Sequence, residues 1–205
     1  MILIDALAII KNHFYFAWFA LVLFVSGFLF SALVEHLKAL DFLKILPKWF
    51  LKTTLKYISS DKNFWQVFLF IALFNSCAIF LYMLSGIFTI IPFIIAFATG
   101  MNIGIALQEP ISDETGEKHP LAEARNRPGL ISFLGAALVP ILELGVFCFS
   151  MGFGMTMGLA LMASYSPFKV AALVGPRIVA YFLIGVPVLI VSAALEAAAV
   201  KELQQ

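Results

Sequence analysis

The residues from Phe14 to Val34 form one apolar run without a charged side chain, and this run limits the fold more than any other feature of the sequence. A helix needs about 20 mostly apolar residues to cross the hydrocarbon core of a bilayer. Across the chain 62% of residues are hydrophobic and 12% are charged, whereas soluble proteins average about 45–50% and about 25%. We therefore expect an all-α, polytopic transmembrane helical bundle.

Five such runs occur, and residues 1–205 are expected to form a single integral membrane domain. The predicted spans are about 14–34, 64–85, 87–107, 130–163 and 170–200. Only Ser85-Gly86 and then Pro92 separate the second span from the third, which predicts a very short turn and a tight helical hairpin.

Prolines interrupt the last two regions. Residues 130–163 are too long for one straight span and rather short for two, and Pro140 is compatible with either a long kinked helix or a half-helix followed by a full one. The fifth region contains Pro176 and Pro187, so a break is expected there as well.

The distribution of Lys and Arg predicts the orientation, because cytoplasmic loops of membrane proteins carry an excess of both. With five spans, one side receives Lys38, Lys44, Lys48, Lys52, Lys56, Lys62, Lys118, Arg125, Arg127 and Lys201. The other side keeps Lys11, Lys169 and Arg177. This asymmetry predicts a multi-pass protein of the cell (plasma) membrane with its N-terminus outside and its C-terminus in the cytoplasm.

Segment 37–60 is too rich in lysine to span, and its pattern predicts an amphipathic helix. Lysines recur every four residues and form one basic stripe, while apolar residues gather largely on the other side. Pro47 is expected to mark a kink or the start of a second short helix. The basic residues are Lys44, Lys48, Lys52 and Lys56, and the apolar ones Leu40, Leu43, Leu46, Phe50, Leu51, Leu55 and Ile58. The segment is either an interfacial helix that binds anionic lipid or a solvated connector packed on the bundle, and the first is favoured.

The polar loop 108–129 is expected to be a flexible cytoplasmic connection that is also able to dock a partner. It contains Glu109, Asp113, Glu114, Glu117 and His119, but their spacing matches no metal-binding pattern. No metal ion and no other cofactor is therefore predicted.

Ionisable and amide side chains inside the apolar runs are the candidate functional residues, because such groups are costly in lipid and usually face a bundle interior or a partner. They are Glu143, Glu196, Asn75, Asn102 and Arg177. A structural role predicts hydrogen bonds or ion pairs between helices, with Arg177 paired to either glutamate or directed outward. A functional role predicts a proton or ion path. Small residues are expected to let helices pack closely, and they are Gly100, Gly104, Gly154 and Gly158.

Enzyme signatures are missing from the sequence, which contains no HExxH, GxSxG or Walker A motif. Cys77 and Cys148 lie in apolar runs and are expected to be structural. The net charge of +1 argues against a nucleic-acid partner. The chain is therefore not expected to be an enzyme.

Three stretches resemble the stage II sporulation protein M family over roughly residues 64–200. Asn75 begins a stretch, NSCAIFLYMLSGIFTIIPF followed by FATGMNIGIAL, that looks like the Asn-led hairpin of the family. LGAALVPILELGVFCFSMGFGMTMG resembles its helix with a proline before a glutamate, which places Glu143, and SAALEAAAV resembles its terminal helix, which places Glu196. The family usually has Pro-His-Gly before that first glutamate, whereas Pro140 is followed here by Ile141 and Leu142.

The resemblance implies a multi-span membrane fold and a scaffold role, since the sporulation member acts in a membrane complex with cell-wall-degrading partners. We therefore expect a membrane scaffold or regulatory subunit that contacts the lipid bilayer and other membrane or envelope proteins, with a homo-oligomer also possible. The alternative is a channel or transporter subunit whose path is lined by Glu143, Asn75, Asn102 and Glu196.

Overall fold

The computed structural model describes residues 11, 13–59, 62–108, 130–163 and 166–203, and every regular element within them is helical. The α-helices are α1 (Phe14–His36), α2 (Ile45–Ser59), α3 (Phe64–Leu84), α4 (Ile91–Gln108), α5 (Leu130–Met162), α6 (Pro167–Ala180) and α7 (Val186–Leu203). Turns of 3-10 helix cover Lys38–Lys44 and Ser85–Phe88, and a π-helical turn, Tyr181–Gly185, joins α6 to α7.

Five helical stretches are long and apolar enough to cross a membrane, which confirms the all-α, five-span prediction. They are Phe14–Val34, Phe64–Phe88, Ile91–Gln108, Ile131–Met162 and Val174–Glu202. Large apolar side chains such as Trp18, Leu29 and Leu73 are exposed along them. Lipid rather than protein therefore has to cover much of the outer surface.

The spanning helices alternate in direction. Helices α1 and α4 are parallel, because Gly100 lies against Phe24 and Gly104 against Ser31. Helix α5 runs antiparallel to α7 and parallel to α3. Thus α1, α4 and α7 all finish at one end of the bundle, termed here the C-terminal end, where α3 and α5 begin.

Glycines bring the backbones of α1 and α4 into direct contact. A Cβ atom added to Gly100 would lie 1.9 Å from the carbonyl oxygen of Phe24, and one added to Gly27 would lie 1.9 Å from the carbonyl oxygen of Phe97. The third glycine, Gly104, lies against the side chain of Ser31. The first GxxxG pair therefore packs within the chain, against α1.

The second pair of glycines packs against the turn between α3 and α4. A Cβ atom on Gly158 would lie 2.7 Å from the Cα of Thr89, and one on Gly86 would lie 2.1 Å from the carbonyl oxygen of Gly154. Helix α5 is thus seated on the turn, whose Thr89 has a φ of 35°. The turn is as short as predicted, but the tight hairpin is not formed, because α4 packs mainly against α1 and touches α3 only slightly.

Residues 130–162 form one continuous helix, which decides between the two alternatives left open for the fourth region. Pro140 lies within α5 on its exposed side. A proline inside a helix removes one backbone hydrogen bond without necessarily ending the helix. The region is therefore a single long span.

The fifth region is interrupted just before Pro187, as its prolines predict. The backbone N–H of Val186 donates to the carbonyl oxygen of Tyr181, which makes the turn π-helical rather than α-helical. Pro187 has no N–H with which to continue the regular hydrogen-bond ladder, and local π-helical adjustments accommodate prolines in membrane helices. Tyr181, the first residue of this turn, is buried in the bundle.

Polar contacts also hold α5 to α7 at the C-terminal end. Oε2 of Glu202 accepts hydrogen bonds of 2.6 Å from both the backbone N–H and the hydroxyl of Ser132. A carboxylate near the first turn of a helix satisfies N–H groups that have no partner within the helix. The start of α5 is thereby fixed to the end of α7.

The amphipathic segment is helical from Lys38 to Ser59, and α2 begins two residues before Pro47. Its lysines are not arranged as one open stripe, since Lys44 is largely covered and forms a 3.0 Å ion pair with Asp41. Leu46, expected on the covered side, is 63% exposed. Residues 109–129, which make up nearly all of the polar loop, lie outside the described residues.

We expect Gly100→Ala to destabilise the protein, because the added methyl group would press against the α1 backbone. Overpacking of this kind typically costs about 1–3 kcal/mol. The apparent melting temperature in mild detergent, followed by fluorescence-detected size-exclusion chromatography, should fall by several degrees. Gly145→Ala is the matched control, since nothing lies within 4 Å of a Cβ atom added there. Equal melting temperatures for the two variants would contradict the proposed role of the close contact.

Candidate functional site

Three helices contribute side chains to a polar cluster inside the bundle. Nδ2 of Asn75 on α3 donates a 2.6 Å hydrogen bond to Oε1 of Glu143 on α5. The hydroxyl of Ser192 on α7 donates to the same oxygen at 3.1 Å. One carboxylate oxygen therefore joins α3, α5 and α7, and we call Asn75, Glu143 and Ser192 the polar tie.

The polar tie lies near the middle of the membrane. At a rise of 1.5 Å per residue, each of its three residues lies about 16–20 Å along its helix from the C-terminal end of the bundle. The hydrocarbon core is about 30 Å thick. At this depth an amide or hydroxyl without a hydrogen-bonding partner would be costly. The carboxylate of Glu143 removes that cost for both Asn75 and Ser192.

Glu196 lies one helical turn beyond Ser192 on the same face of α7, and its charge interacts electrostatically with that of Glu143. Both glutamates are half-buried. Thus the interior of the bundle contains one carboxylate bound by the tie and a second, on α7, nearer the C-terminal end.

The π-helical turn is attached to α3 next to the polar tie. The hydroxyl of Tyr181 donates a 2.5 Å hydrogen bond to the backbone carbonyl of Ser76, the residue after Asn75. Tyr181 also packs against the ring of Phe80. The widened turn therefore places a second polar contact between the fifth span and α3, close to where Asn75 reaches Glu143.

An apolar groove of about 250 Å³ lies between α5 and the fifth span, on the side of Leu142 and Gly145. It extends past Tyr181 to Val188, one turn before Ser192. The groove thus reaches the border of the polar tie but is lined almost wholly by apolar side chains. It is not a polar conduit leading to Glu143.

The remaining predicted residues lie apart from the cluster. Arg177 is buried and donates to Nε2 of His13, with its Nη2 at 2.7 Å and its Nε at 3.2 Å. Asn102, on α4, is half-buried and makes none of the hydrogen bonds of the polar tie. Arg177 therefore contacts His13 near the N-terminal end of α1, rather than either glutamate.

Sequence reasoning missed Ser192, Tyr181 and His13. Serine is common in membrane helices and gives no signal alone, although its position four residues before Glu196 places both on one helix face. The hydroxyl of Tyr181 is directed inward by a turn whose type the sequence does not specify. Among the described residues, no group of three or more His, Cys, Asp or Glu side chains is arranged to hold a metal ion.

Comparison with known proteins gives one family. No curated protein and no solved structure matches the chain at a significant level. A family model described as Stage II sporulation protein M matches residues 20–199, which include every residue of the polar tie as well as Glu196. This match covers most of the sequence, and the chain therefore belongs to the stage II sporulation protein M family.

Proposed function

We propose that this protein is a non-catalytic membrane scaffold or regulatory subunit that holds other membrane or envelope proteins in a complex. The observation that carries the proposal is the closed polar tie, in which the half-buried carboxylate of Glu143 accepts hydrogen bonds from two other spans. Such a contact stabilises a fixed bundle, as interhelical hydrogen bonds do in other membrane proteins.

Two further features support this role. The groove beside the tie is apolar, so water has no polar-lined route to Glu143 along it. The sequence also lacks the HExxH, GxSxG and Walker A motifs of hydrolases and nucleotide-binding enzymes. Family membership adds the expectation of action within a membrane complex.

A channel or transporter subunit is the second candidate, and the position of Glu196 one helical turn along α7 from Ser192 favours it. Chains of ionisable side chains at membrane depth form the proton relays of pumps and transporters. The π-helical turn in the fifth span is also a local irregularity of a kind that is frequent at functional sites. In this alternative the path would pass Glu143 on α5 and Glu196 on α7.

Substitution of Glu143 distinguishes a structural carboxylate from a transporting one. Glu143→Gln keeps an oxygen that accepts from Asn75 and Ser192, so the scaffold proposal expects a nearly unchanged melting temperature. Glu143→Leu removes that acceptor and is expected to cost about 1–2 kcal/mol. Thermal unfolding in detergent measures both.

Ion flux in reconstituted liposomes completes the comparison. The scaffold proposal expects no proton or cation flux above that of protein-free vesicles. Flux through the wild type that is abolished by Glu143→Gln would support the transporter instead. Thr156→Val serves as the matched control, because Thr156 is half-buried on α5, donates to the Gly152 carbonyl of its own helix and takes no part in the polar tie or the alternative path.

The scaffold proposal also expects stable association with a protein partner. Purification of the tagged chain from its native membrane in mild detergent, after cross-linking in the cell, should yield a defined complex that contains another membrane or envelope protein or a second copy. The complex should persist with Glu143→Gln. Recovery of only the monomer from cross-linked membranes would argue strongly against a scaffold.

The proposal places the C-terminal end of the bundle in the cytoplasm of a cell whose plasma membrane it spans. Six described lysines outside the spans lie on this side and two on the other, in accordance with the positive-inside tendency. The six are Lys38, Lys44, Lys48, Lys52, Lys56 and Lys62, and the two are Lys11 and Lys169. A reporter that is active only in the cytoplasm should be active when fused after Gln205. Activity of a reporter that works only outside the cytoplasm, fused at the same position, would reverse the proposed orientation.

A further inference from the structure

The segment Lys38–Ser59 packs along the outside of the bundle at its C-terminal end. Leu40 and Leu43 contact the small core formed by Val34, Met101 and Ile105. Pro47, in the first turn of α2, is buried. One side of the segment is therefore held by α1 and α4, and it is not a loosely tethered loop.

Two ring contacts show that α2 lies obliquely against α3. Phe50 packs against Phe74 with ring centroids 5.3 Å apart, and Tyr57 stacks on Phe70 at 4.3 Å. Along α3, Phe74 is about 6 Å further from the C-terminal end than Phe70. Helix α2 therefore starts deeper in the bundle's membrane zone and rises towards the C-terminal end as it proceeds.

The chemistry of its exposed side changes along the same direction. The first part exposes large apolar side chains, with Ile45 68% and Trp49 62% exposed. The second part exposes Lys52, Thr53 and Lys56 instead. The apolar part is the one that lies at the deeper level, and the basic part lies at the shallower level.

The exposed apolar part continues the lipid-facing surface of the neighbouring spans. Leu29 and Leu33 on α1 are exposed and lead towards the start of the segment, and Leu73 is exposed on α3 beside Phe74. A bilayer that covers these residues also reaches Ile45 and Trp49. Continuity with the spans and the positive charge that follows identify the occupant of this surface as anionic phospholipid.

We propose that Lys38–Ser59 is a half-inserted anchor that occupies one leaflet at the C-terminal end of the bundle. Its apolar patch, made up of Phe42, Ile45, Leu46 and Trp49, lies among the acyl chains. Lys52 and Lys56 lie at the level of anionic headgroups, to which their long side chains can extend. The segment thus attaches this leaflet directly to α3 and α4.

Depth-dependent quenching of Trp49 tests the anchor. Trp18→Phe combined with Trp65→Phe leaves Trp49 as the only tryptophan, and Trp18→Phe combined with Trp49→Phe leaves Trp65, at the start of α3, as the reference. Each variant is reconstituted into phosphatidylglycerol–phosphatidylcholine vesicles with bromines at successive acyl-chain depths. Trp49 should be quenched most by bromines deeper than those that best quench Trp65.

Two results would overturn the proposal. Trp49 that is quenched by aqueous iodide and not by brominated chains would place the segment in water. Trp49 that is protected from both quenchers would mean that a protein, either a second copy or another partner, covers the patch.

Lipid retention gives an independent measurement that needs no tryptophan substitution. Native mass spectrometry of Lys52→Gln with Lys56→Gln should show about tenfold less bound phosphatidylglycerol than the wild type, as expected for the loss of two basic contacts. Lys169→Gln, on the exposed start of α6 at the other end of the bundle, is the matched control and should retain the wild-type amount. Equal amounts of bound phosphatidylglycerol on the wild type, the double variant and Lys169→Gln would contradict the binding of headgroups by Lys52 and Lys56.

Discussion

Direct contact between helix backbones at glycine positions is the constraint on which the rest of this bundle depends. Lipid tails are as apolar as leucine, so helices in a membrane gain little by burying leucine against leucine. Close packing has to supply the attraction, and it does so where Gly27 meets Phe97 and Gly100 meets Phe24. The contact of Gly86 with Gly154 seats α5 on the turn between α3 and α4. These three contacts set the spacing of α1, α3, α4 and α5, which are four of the five spans.

The polar tie depends on that spacing. Asn75 and Glu143 lie in parallel helices, and their 2.6 Å hydrogen bond forms about halfway along α3, about three helical turns from the contact between Gly86 and Gly154. Ser192 completes the tie from the antiparallel α7, whose register is fixed at the C-terminal end by Glu202 and Ser132. Packing and hydrogen bonding therefore support each other, which is why the carboxylate is tolerated at this depth.

The sequence predicts the helical class and the spans well, because run length and composition decide them directly. It also identifies Asn75, Glu143 and Glu196 as residues that lipid would not tolerate alone. It does not predict which of them meet, since the tie joins positions 68 and 49 residues apart. The prediction of a tight hairpin between α3 and α4 was wrong for a related reason. The short turn brings the ends of α3 and α4 near each other, but the glycines of α1 and α5 decide which helices α3 and α4 pack against.

The departure from the family pattern before Glu143 now has a structural meaning. The positions where the family usually has His and Gly hold Ile141, which is 68% exposed, and Leu142, which lines the apolar groove. No imidazole is therefore available from these positions to exchange a proton with Glu143. The carboxylate of Glu143 accepts from Asn75 and Ser192 through one oxygen and has apolar side chains towards the groove, and this arrangement supports the proposed scaffold over the transporter.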